Sequence, residues 1–346
     1  MTVRDALSVL VTGRDLTRHE ASAAMRSLVD GEATSAQIGA FAMALRMKGE
    51  TADEIAGLAE VMREAATRVD AGPDVVDLVG TGGDGSGTFN ISTLSAFVVA
   101  SAGGRVAKHG NRSVTSACGA ADYLEALGVA IDLPPQGVAQ CVAEAGFGFM
   151  FAPLYHPAMR HAVVPRRELG VRTVFNILGP LTNPAGARRQ LTGVAVPGLG
   201  ETLARVLALL GAEHALIVHG ADGLDEISIS GPTQVHEARG GTLTSYSIEP
   251  ERFGLSRAPT DAVRGGTVEA NLSLAADVFA GKVGPPRDVV LLNAGAGLYV
   301  AGLVPSIAEG VRRAAAEIDS GRARAKVEQV VETSQRARTA LPVGAA

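Results

Sequence analysis

The feature of this sequence that most constrains its fold is a glycine-rich run at residues 80–93, Gly-Thr-Gly-Gly-Asp-Gly-Ser-Gly-Thr-Phe-Asn-Ile-Ser-Thr. A short apolar run precedes it at residues 75–79, and an apolar run with helical character follows it at residues 94–102. A strand, a glycine-rich turn and a helix in this order present backbone N–H groups and a helix N-terminus to a phosphate. The run therefore predicts a phosphate site, with a flexible glycine turn as the alternative.

The glycine-rich run does not identify the phosphorylated ligand. It matches neither of the two common nucleotide-binding patterns, G-x-x-x-x-G-K-[ST] and G-x-G-x-x-G. Asn90 and Ser92 stand where the N-cap of the following helix is expected. Further information on the ligand has to come from the rest of the chain.

The composition of the 346-residue chain argues against a general nucleic-acid binder, because its formal net charge is -5 and such a protein needs a basic face. Its two cysteines, Cys118 and Cys141, form no disulfide pattern, which predicts a reducing cytoplasm. The N-terminus lacks the features of a signal peptide, and no apolar run approaches the ~20 residues of a membrane span. At ~100–200 residues per domain, the length predicts two domains.

Residues 1–71 are predicted to form an all-helical domain. Capping-box patterns recur at residues 17–20, 34–37 and 51–54, each a threonine followed three positions later by Glu or Gln. Apolar residues behind each pattern keep helical spacing. This region lacks residues suited to chemistry, which indicates a role in packing or dimerisation. The segment 71–74, Ala-Gly-Pro-Asp, is typical of a linker.

Beyond the linker, short apolar strands alternate with helices, which predicts a largely parallel sheet. We predict strands at residues 75–79, 105–107, 148–151, 192–196 and 215–218, and helices near 92–102, 118–127, 135–145 and 199–210. In such sheets, ligands bind at the carboxyl ends of strands. Polar clusters follow the first, second and fifth predicted strands, so we expect them to contribute to one site.

The second and third polar clusters suit a phosphate and a metal ion. Residues 108–116, Lys-His-Gly-Asn-Arg-Ser-Val-Thr-Ser, combine cationic and hydroxyl groups that suit a phosphorylated ligand; an ordinary polar loop is the alternative. The acidic loop with Asp222, Asp225 and Glu226 suits Mg²⁺, which prefers oxygen ligands and is often shared with substrate phosphates. A solvated acidic turn is the alternative there. Between them, residues 176–184, Asn-Ile-Leu-Gly-Pro-Leu-Thr-Asn-Pro, predict a rigid, shaped loop.

Taken together, these segments resemble the anthranilate phosphoribosyltransferase family. The resemblance rests on residues 80–84, 90–93, 108–112, 176–184 and the pair Asp225–Glu226, and it continues in order to residues 293–300, Asn-Ala-Gly-Ala-Gly-Leu-Tyr-Val. It implies an α/β fold of the nucleoside phosphorylase and phosphoribosyltransferase type, with a small N-terminal all-helical domain and a larger α/β domain with a mostly parallel central sheet. The implied domains are residues 1–71, with 157–190 packing against them, and residues 74–346.

The resemblance also implies an activity. Members of this family are glycosyltransferases of tryptophan biosynthesis, an aromatic amino-acid pathway in the cytoplasm. They transfer the phosphoribosyl group of 5-phosphoribosyl 1-pyrophosphate (PRPP) to the amine of anthranilate and release pyrophosphate. The implied cofactor is Mg²⁺, as two ions bound with PRPP. The implied partners are these small molecules and a second copy of the chain, forming a homodimer through the helical domain, with no nucleic acid and no membrane.

The family's site positions can be carried over to this sequence. The PRPP-binding positions are Gly80, Gly83, Asp84, Thr88, Asn90, Ile91, Ser92, Thr93, Lys108, His109, Gly110, Asn111, Arg112, Ser113, Val114, Thr115, Ser116 and Ala120. The anthranilate-binding positions are Gly80, Asn111, His156, Arg166 and Pro180, and the metal positions are Ser92, Asp225 and Glu226. His109 is the one catalytic candidate, to orient anthranilate or to accept a proton late. An aromatic amine is unprotonated at neutral pH, so positioning and leaving-group stabilisation are expected to dominate.

Residues 117–120, Ala-Cys-Gly-Ala, depart from the Lys-Ser-Gly-Ser that family members commonly have. The change removes a lysine and two hydroxyls, including the serine hydroxyl that contacts pyrophosphate, at Ala120. Cys118 is predicted at a helix N-terminus near Lys108 and Arg112, which would lower the pKa of its thiol and make it reactive. The alternative is a small buried residue in place of serine.

Two other functions compete with this interpretation. A pyrimidine-nucleoside phosphorylase has a related fold, but its phosphate-site lysine and serine patterns differ from Asp84 and residues 108–111. A non-enzymatic nucleic-acid-binding relative of the same fold would have a basic groove and would lose substrate residues. This chain is acidic overall and keeps Asn111, Arg166, Asp225 and Glu226.

Overall fold

The computed structural model of the protein describes residues 1–113 and 117–340. Its N-terminal region forms four helices, α1 (Val3–Leu10), α2 (Arg18–Val29), α3 (Ser35–Lys48) and α4 (Ala52–Ala65). Each begins after a threonine whose side chain accepts a hydrogen bond from the N–H three residues on, in a reciprocal capping box. The three predicted boxes are confirmed. The box that starts α1, Thr2 with Asp5, was not predicted.

A seven-stranded sheet forms the centre of the rest of the protein, in the order β3-β2-β1-β4-β5-β6-β7. Its strands are β1 (Val75–Gly80), β2 (Arg105–Gly110), β3 (Phe147–Phe151), β4 (Arg189–Gly193), β5 (His214–Gly220), β6 (Thr233–Arg239) and β7 (Thr242–Ile248). The first five strands pair in parallel, whereas β6 and β7 form an antiparallel hairpin at one edge. The mostly parallel sheet is confirmed.

One predicted strand is placed wrongly, another is longer than predicted, and one hairpin was missed. The fourth strand begins at Arg189 and ends at Gly193, not at 192–196, because its polar first residues are stabilised by contacts that an apolar pattern does not show. The amide of Gln190, for example, donates to the carbonyl of Pro180. Strand β2 continues to Gly110, so Lys108 and His109 are buried strand residues and not loop residues. The hairpin was missed because most of β7 is exposed and polar.

Helices cover both faces of the sheet. They are α5 (Ile91–Ser101), α6 (Ala120–Ala126), α7 (Pro135–Ala145), α8 (Ala152–Tyr155), α9 (Arg160–Leu169), α10 (Val174–Leu181), α11 (Leu199–Leu209), α12 (Val268–Phe279), α13 (Pro285–Val300), α14 (Ile307–Asp319) and α15 (Arg322–Ala340). Side chains of α5, α13, α14 and α15 share one apolar core with Leu78 and Leu216 of the sheet. Nowhere in residues 1–113 and 117–340 is a helix both long and apolar enough to span a membrane.

The four N-terminal helices share a second core with α10 and α11, and with Ala215 and Ile217 on the sheet. Helix α9 also contacts α3, and α10 contacts α4. Segment 176–184 therefore lies between the helical region and the sheet. Its contacts join it to three strands, through Pro180 at Gln190 of β4 and through Asn183 at Asp77 of β1 and Ala107 of β2.

Candidate active site

The loops after β1 and β5 meet at the carboxyl edge of the sheet. The N–H of Gly82 donates to Asp225 Oδ2 at 2.7 Å. A Cβ on Gly80 would lie 2.5 Å from the same oxygen, and a Cβ on Gly193 would lie 1.5 Å from the carbonyl oxygen of Asp225. Gly193 is therefore required for the backbone of the acidic loop to lie this close to β4, and Gly80 leaves room for the carboxylate of Asp225 beside β1.

Glu226 extends this contact to the start of α5. The N–H of Ser92 donates to Glu226 Oε1 at 3.0 Å, so the carboxylate satisfies an amide in the first turn of the helix. The side chain of Asn90, at the N-cap position, makes no capping bond and donates instead to the carbonyl of Cys118 at 3.3 Å. Asn90 therefore stands at the predicted N-cap position without capping the helix through its side chain. Ser92, the other predicted position, is the second residue of α5, and its N–H is satisfied by Glu226.

Lys108, on β2, contacts the same end of α5 as Glu226. Its Nζ donates to the carbonyl of Leu78 and, at 3.4 Å, to Ser92 Oγ. Burial lowers the pKa of Lys108, and the negative charges of Asp77 and Glu226 oppose that shift. The three predicted clusters thus form one site, in which Lys108, Ser92 and Glu226 surround the N-terminus of α5.

The acidic pair is half-buried, and the negative charges of its carboxyl groups and of Asp84 disfavour full ionisation. Burial, followed by the charge of Asp84, raises the pKa of Asp225 to about 7. Burial and the charge of Asp225 likewise raise the pKa of Glu226. A bound cation would reverse both shifts because it favours the ionised form of each carboxyl group. The donor chemistry of Ser92, Asp225 and Glu226 therefore fits a hard divalent cation.

The protein alone does not supply a full set of metal ligands. Among the residues that the structure describes, no group of three or more His, Cys, Asp or Glu side chains could hold a metal ion. Mg²⁺ usually keeps several waters and takes one or two carboxylates plus substrate phosphate oxygens. The acidic pair is consistent with that kind of site.

The glycine-rich loop has a defined shape. Gly82, Gly83, Gly85 and Gly87 all have positive φ angles, between 63° and 72°. Inside the loop, Ser86 donates to Asp84 from both its hydroxyl, at 2.6 Å, and its N–H, at 3.2 Å. Backbone bonds then join the far end to residues 260–265: Gly265 N–H donates to the carbonyl of Gly87 at 2.9 Å, and Phe89 N–H to that of Val263 at 3.2 Å. The loop is therefore held at both ends.

His109 and His156 form a buried pair on the other side of β2, with ring centroids 4.9 Å apart. Burial lowers the pKa of His109 to about 3 and the pKa of His156 to about 4. Both rings are therefore neutral at pH 7, and a group with so low a pKa is a poor general base there. The Nε2 atoms of both rings are buried and lack a hydrogen-bond partner in the described structure. Of the two roles considered for His109, orientation of a substrate fits better.

Arg166 approaches the same region from α9. Its guanidinium carbon lies 6.0 Å from the centre of the Phe175 ring in α10, and burial lowers its pKa. Arg166 forms no ion pair within residues 1–113 and 117–340, whereas the neighbouring Arg167 is exposed. Pro180 is buried near the end of α10. Helix α10 is thus the element that connects Arg166 and Pro180, while no described contact joins Asn111 to Arg166.

The loop after β2 is held against α6. Arg112 forms ion pairs with Asp122 at 2.9 Å and Glu125 at 2.8 Å, both on this helix. Ser113 N–H donates to Asp122 Oδ2 at 3.1 Å. The predicted PRPP positions Val114, Thr115 and Ser116 lie outside the described residues. Ala120 begins α6, and Gly110 ends β2 beside it.

The prediction of a reactive Cys118 is wrong. The thiol is buried, and burial together with the charges of Asp122 and Glu269 raises its pKa to about 11. The two cations expected nearby have other partners, Lys108 at Ser92 and Arg112 at α6. Cys118 Sγ instead lies 3.5 Å from Asn90 Oδ1. The structure supports the alternative, a small buried residue.

Sequence analysis missed a buried carboxylate below the site. Asp77, in the middle of β1, accepts hydrogen bonds from Asn183 Nδ2 at 2.7 Å and from the N–H of His109 at 3.3 Å. Burial raises its pKa to about 6. This residue ties segment 176–184 to the strand that carries His109. The sequence feature that could have revealed it is an aspartate within the otherwise apolar run at residues 75–79.

Two further residues have structural roles that the sequence did not indicate: Asp222, predicted only as part of the acidic loop, and Arg172, which was not singled out. Asp222 Oδ2 accepts hydrogen bonds from three hydroxyls, those of Ser228 at 2.9 Å, Ser230 at 2.6 Å and Thr260 at 2.7 Å. This connects the acidic loop to residues 260–265, which hold the glycine-rich loop. Arg172 donates to the carbonyls of Thr81 and Gly82 from the segment between α9 and α10. Both depend on contacts between distant segments.

Comparison with known protein families agrees with this arrangement. Residues 4–66 match the glycosyl transferase family helical bundle domain, and residues 72–324 match the glycosyl transferase family a/b domain. The anthranilate phosphoribosyltransferase of Symbiobacterium thermophilum is 56% identical over 333 residues, covering 96% of this chain and 98% of that protein. The enzyme of the same name from Chloroflexus aggregans is 53% identical over 337 residues, covering 97% and 99%.

Solved structures give the same result. The crystal structure of anthranilate phosphoribosyltransferase from Thermus thermophilus has a TM-score of 0.90 and 46% identity, covering 96% of this chain and 99% of that one. The Saccharomyces cerevisiae enzyme in complex with PRPP and Mg has a TM-score of 0.86 and 29% identity, covering 96% and 98%. The chain belongs to the anthranilate phosphoribosyltransferase family.

Proposed function

We propose that this protein transfers the phosphoribosyl group of PRPP to the amine of anthranilate, giving N-(5-phosphoribosyl)anthranilate and pyrophosphate in tryptophan biosynthesis. The observation that carries the proposal is the meeting of three loops at one edge of the sheet. Gly82 contacts Asp225, Ser92 contacts Glu226, and Lys108 contacts Ser92. A polyanionic substrate and its metal fit between these groups. A similar solved structure, that of the yeast enzyme, is a complex with PRPP and Mg.

In this mechanism the pyrophosphate is the leaving group, and the protein stabilises the charge that develops on it. Ser92, Asp225 and Glu226 would hold Mg²⁺, as two ions, and bound Mg²⁺ supplies neutralising charge for phosphate oxygens. Lys108, the N-terminus of α5 and amides of the glycine-rich loop would donate to the same oxygens when the substrate binds. We assign the other described positions carried over for PRPP, from Gly80 to Ala120, to this half of the site as part of the same proposal.

Anthranilate would bind on the side of α10. A guanidinium is a planar fork suited to a carboxylate, and Arg166 has no carboxylate partner in the described structure. The neutral rings of His109 and His156 can donate or accept one hydrogen bond each through their unpartnered Nε2 atoms. With Gly80, Asn111 and Pro180, they would orient the ring so that the amine faces the ribose carbon. The neutral amine attacks without prior deprotonation, so orientation is the main contribution.

We also propose that the protein is a cytoplasmic homodimer that associates through its helical domain. Exposed large apolar side chains occur on three of the elements that would form this surface, at Val11, Met47, Val163 and Val164. Helices α1 and α9 both contact α3, so these residues lie on connected elements. The domain division at residues 1–71 and 74–346, with 157–190 on the helical side, is part of the same proposal. Sedimentation of the purified protein at twice the monomer mass is the expected result.

The proposed activity is tested by following anthranilate fluorescence. Purified protein with PRPP and Mg²⁺ should remove the anthranilate signal, and omission of either should stop the reaction. Thymidine or uridine with phosphate should not react, which separates this activity from pyrimidine-nucleoside phosphorolysis. Binding of nucleic acid without turnover of anthranilate would instead indicate the non-enzymatic relative.

A further inference from the structure

Arg172 reaches from the anthranilate side of the site to the glycine-rich loop. It lies on the segment between α9 and α10, between the positions of Arg166 and Pro180. Its Nη1 donates to the carbonyl of Gly82, and its Nη2 lies 3.4 Å from the carbonyl of Thr81. One side chain therefore holds two successive carbonyl groups of the loop.

The loop in turn is shaped around this guanidinium. A Cβ on Gly83 would lie 1.8 Å from Arg172 Nη1, far inside van der Waals contact. Gly83 also has a φ of 71°, a region that other residues rarely adopt. Arg172 can therefore take this position only because residue 83 is a glycine.

The two carbonyl contacts fix the direction of the loop's N–H groups. In a trans peptide the C=O and the N–H point to opposite sides. Because the carbonyl of Thr81 faces Arg172, the N–H of Gly82 points away from it, and it meets Asp225 Oδ2 at 2.7 Å. By the same geometry, the carbonyl of Gly82 directs the N–H of Gly83 away from the guanidinium. That N–H makes no hydrogen bond in the described part of the chain.

The positive charge of Arg172 also suits a phosphate-binding role for the Gly82–Gly83 turn. It forms no ion pair within residues 1–113 and 117–340. Its positive charge also acts on Asp225, where it opposes the rise in the pKa of that carboxyl group. The guanidinium of Arg172, which has no ion-pair partner in the described structure, therefore lies beside the unbonded N–H of Gly83. Gly83 is also one of the positions that the family resemblance assigns to PRPP binding.

We propose that Arg172 is a positioning residue for PRPP: it orients the Gly82–Gly83 peptide so that the Gly83 N–H donates to the incoming phosphate. The inference rests on the proposed function, since it names the group that prepares that site for its substrate. Arg172 acts on PRPP binding through the loop backbone. It does not share the role in anthranilate binding that is proposed for Arg166. Loss of Arg172 should therefore affect one substrate more than the other.

The first test compares Arg172→Met with Arg172→Lys, and uses Arg167→Met as the matched control on an exposed arginine of the same region. Titration calorimetry with PRPP and Mg²⁺ should show affinity about 10-fold weaker for Arg172→Met, the loss of one hydrogen bond to a charged group. Arg172→Lys should be intermediate, because an ammonium cannot hold both carbonyls in a fixed fork. The KM for PRPP should rise while the KM for anthranilate changes little.

The second test is a double-mutant cycle with Gly83→Ala. The added Cβ displaces Arg172 in the native background but meets no guanidinium in Arg172→Met, whereas the φ strain is the same in both. Gly83→Ala should therefore weaken PRPP binding less in the Arg172→Met background. The inference would be overturned if the effects of Gly83→Ala and Arg172→Met on PRPP affinity were additive. It would also be overturned if Arg172→Met raised the KM for PRPP and the KM for anthranilate equally. If the native protein itself does not bind PRPP, the proposed function fails instead, which keeps the two failures distinct.

Discussion

Glu226 Oε1 accepts a hydrogen bond from the backbone N–H of Ser92 at 3.0 Å, which joins the loop after β5 to the first turn of α5. The bond places a half-buried carboxylate at a helix N-terminus, where negative charge is favoured. It also places it beside Lys108, which reaches Ser92 from β2. Residues from three strand ends are therefore held in one group before any ligand is present.

Arg166 should act on anthranilate and not on PRPP. Arg166→Gln removes the planar charged fork, so the KM for anthranilate should rise at least about 10-fold, the loss expected for a charge-assisted pair. The KM for PRPP should change little. Arg167→Gln, on the exposed neighbour, is the control and should leave both constants unchanged. Equal rises in both constants for Arg166→Gln would show that the assignment is wrong.

Thr260 should support the site from a distance, through Asp222. Thr260→Val keeps the shape of the side chain but deletes the hydroxyl that donates to Asp222 Oδ2 at 2.7 Å. We expect the free energy of unfolding to fall by about 1 kcal/mol. The Mg²⁺ concentration for half-maximal activity should rise as well, because residues 260–265 link the acidic and glycine-rich loops. Thr260→Ser keeps the hydroxyl and should have the native free energy of unfolding and the native Mg²⁺ dependence. If Thr260→Ser behaves like Thr260→Val, loss of the hydroxyl does not explain the two changes.

His109 should make the protein less stable in acid. Its pKa is about 3 in the folded protein against 6.5 ordinarily, so the unfolded chain binds a proton that the folded protein does not. The resulting stability is present above pH 6.5 and is lost as the pH falls toward 3, by at most about 1.4 kcal/mol per pH unit. Urea unfolding of His109→Gln between pH 4.5 and 6.5 should show a shallower pH dependence than the native protein.

Two comparisons isolate the contribution of His109. His19→Gln replaces an exposed histidine and should keep the native pH dependence. Asp77, whose pKa is raised to about 6, has the opposite effect in an overlapping range, since its stabilising contribution is lost as the pH rises. The His109→Gln variant keeps the backbone N–H that bonds to Asp77, so Asp77 contributes equally in the variant and in the native protein. Its contribution cancels when the two pH slopes of stability are subtracted. An identical slope for His109→Gln and the native protein would contradict the buried neutral ring.

Cys118 should be unreactive in the folded protein. With a pKa of about 11, only about 0.1% of the thiol is ionised at pH 8, and the side chain is buried. Labelling of the native protein with a thiol reagent should therefore be slow at this residue, with and without PRPP and Mg²⁺. Cys118→Ser identifies the labelled position. Rapid labelling before unfolding would show that the thiol is accessible.

The sequence was sufficient to predict the parallel sheet and the meeting of three polar clusters, because both follow from local patterns. Apolar strands alternating with helices require a parallel sheet, and the carboxyl ends of its strands lie at one edge. The roles of single cations were not predictable in this way. Lys108 and Arg112 are four residues apart in the same motif, yet one is buried against Ser92 and the other is paired with α6.

The missed residues depend on contacts between segments far apart in the chain. Arg172 is recognisable only once its guanidinium is seen against Gly82 and Gly83. Asp222 looked like part of a metal-binding loop, but its carboxylate is already used by three hydroxyls. The reactivity expected of Cys118 failed for a related reason, since burial outweighs any effect of the helix N-terminus.

The central claim is that the acidic pair and the glycine-rich loop form a single site for PRPP with Mg²⁺. It is tested most directly by titration calorimetry of PRPP in the presence and absence of Mg²⁺. The native protein is compared with the Asp225→Asn, Glu226→Gln double variant and with Glu328→Gln, a control on an exposed position of α15. We predict Mg²⁺-dependent binding by the native protein and the control, and an affinity at least about 10-fold weaker in the double variant. Equal PRPP affinity in all three proteins at every Mg²⁺ concentration would contradict the account.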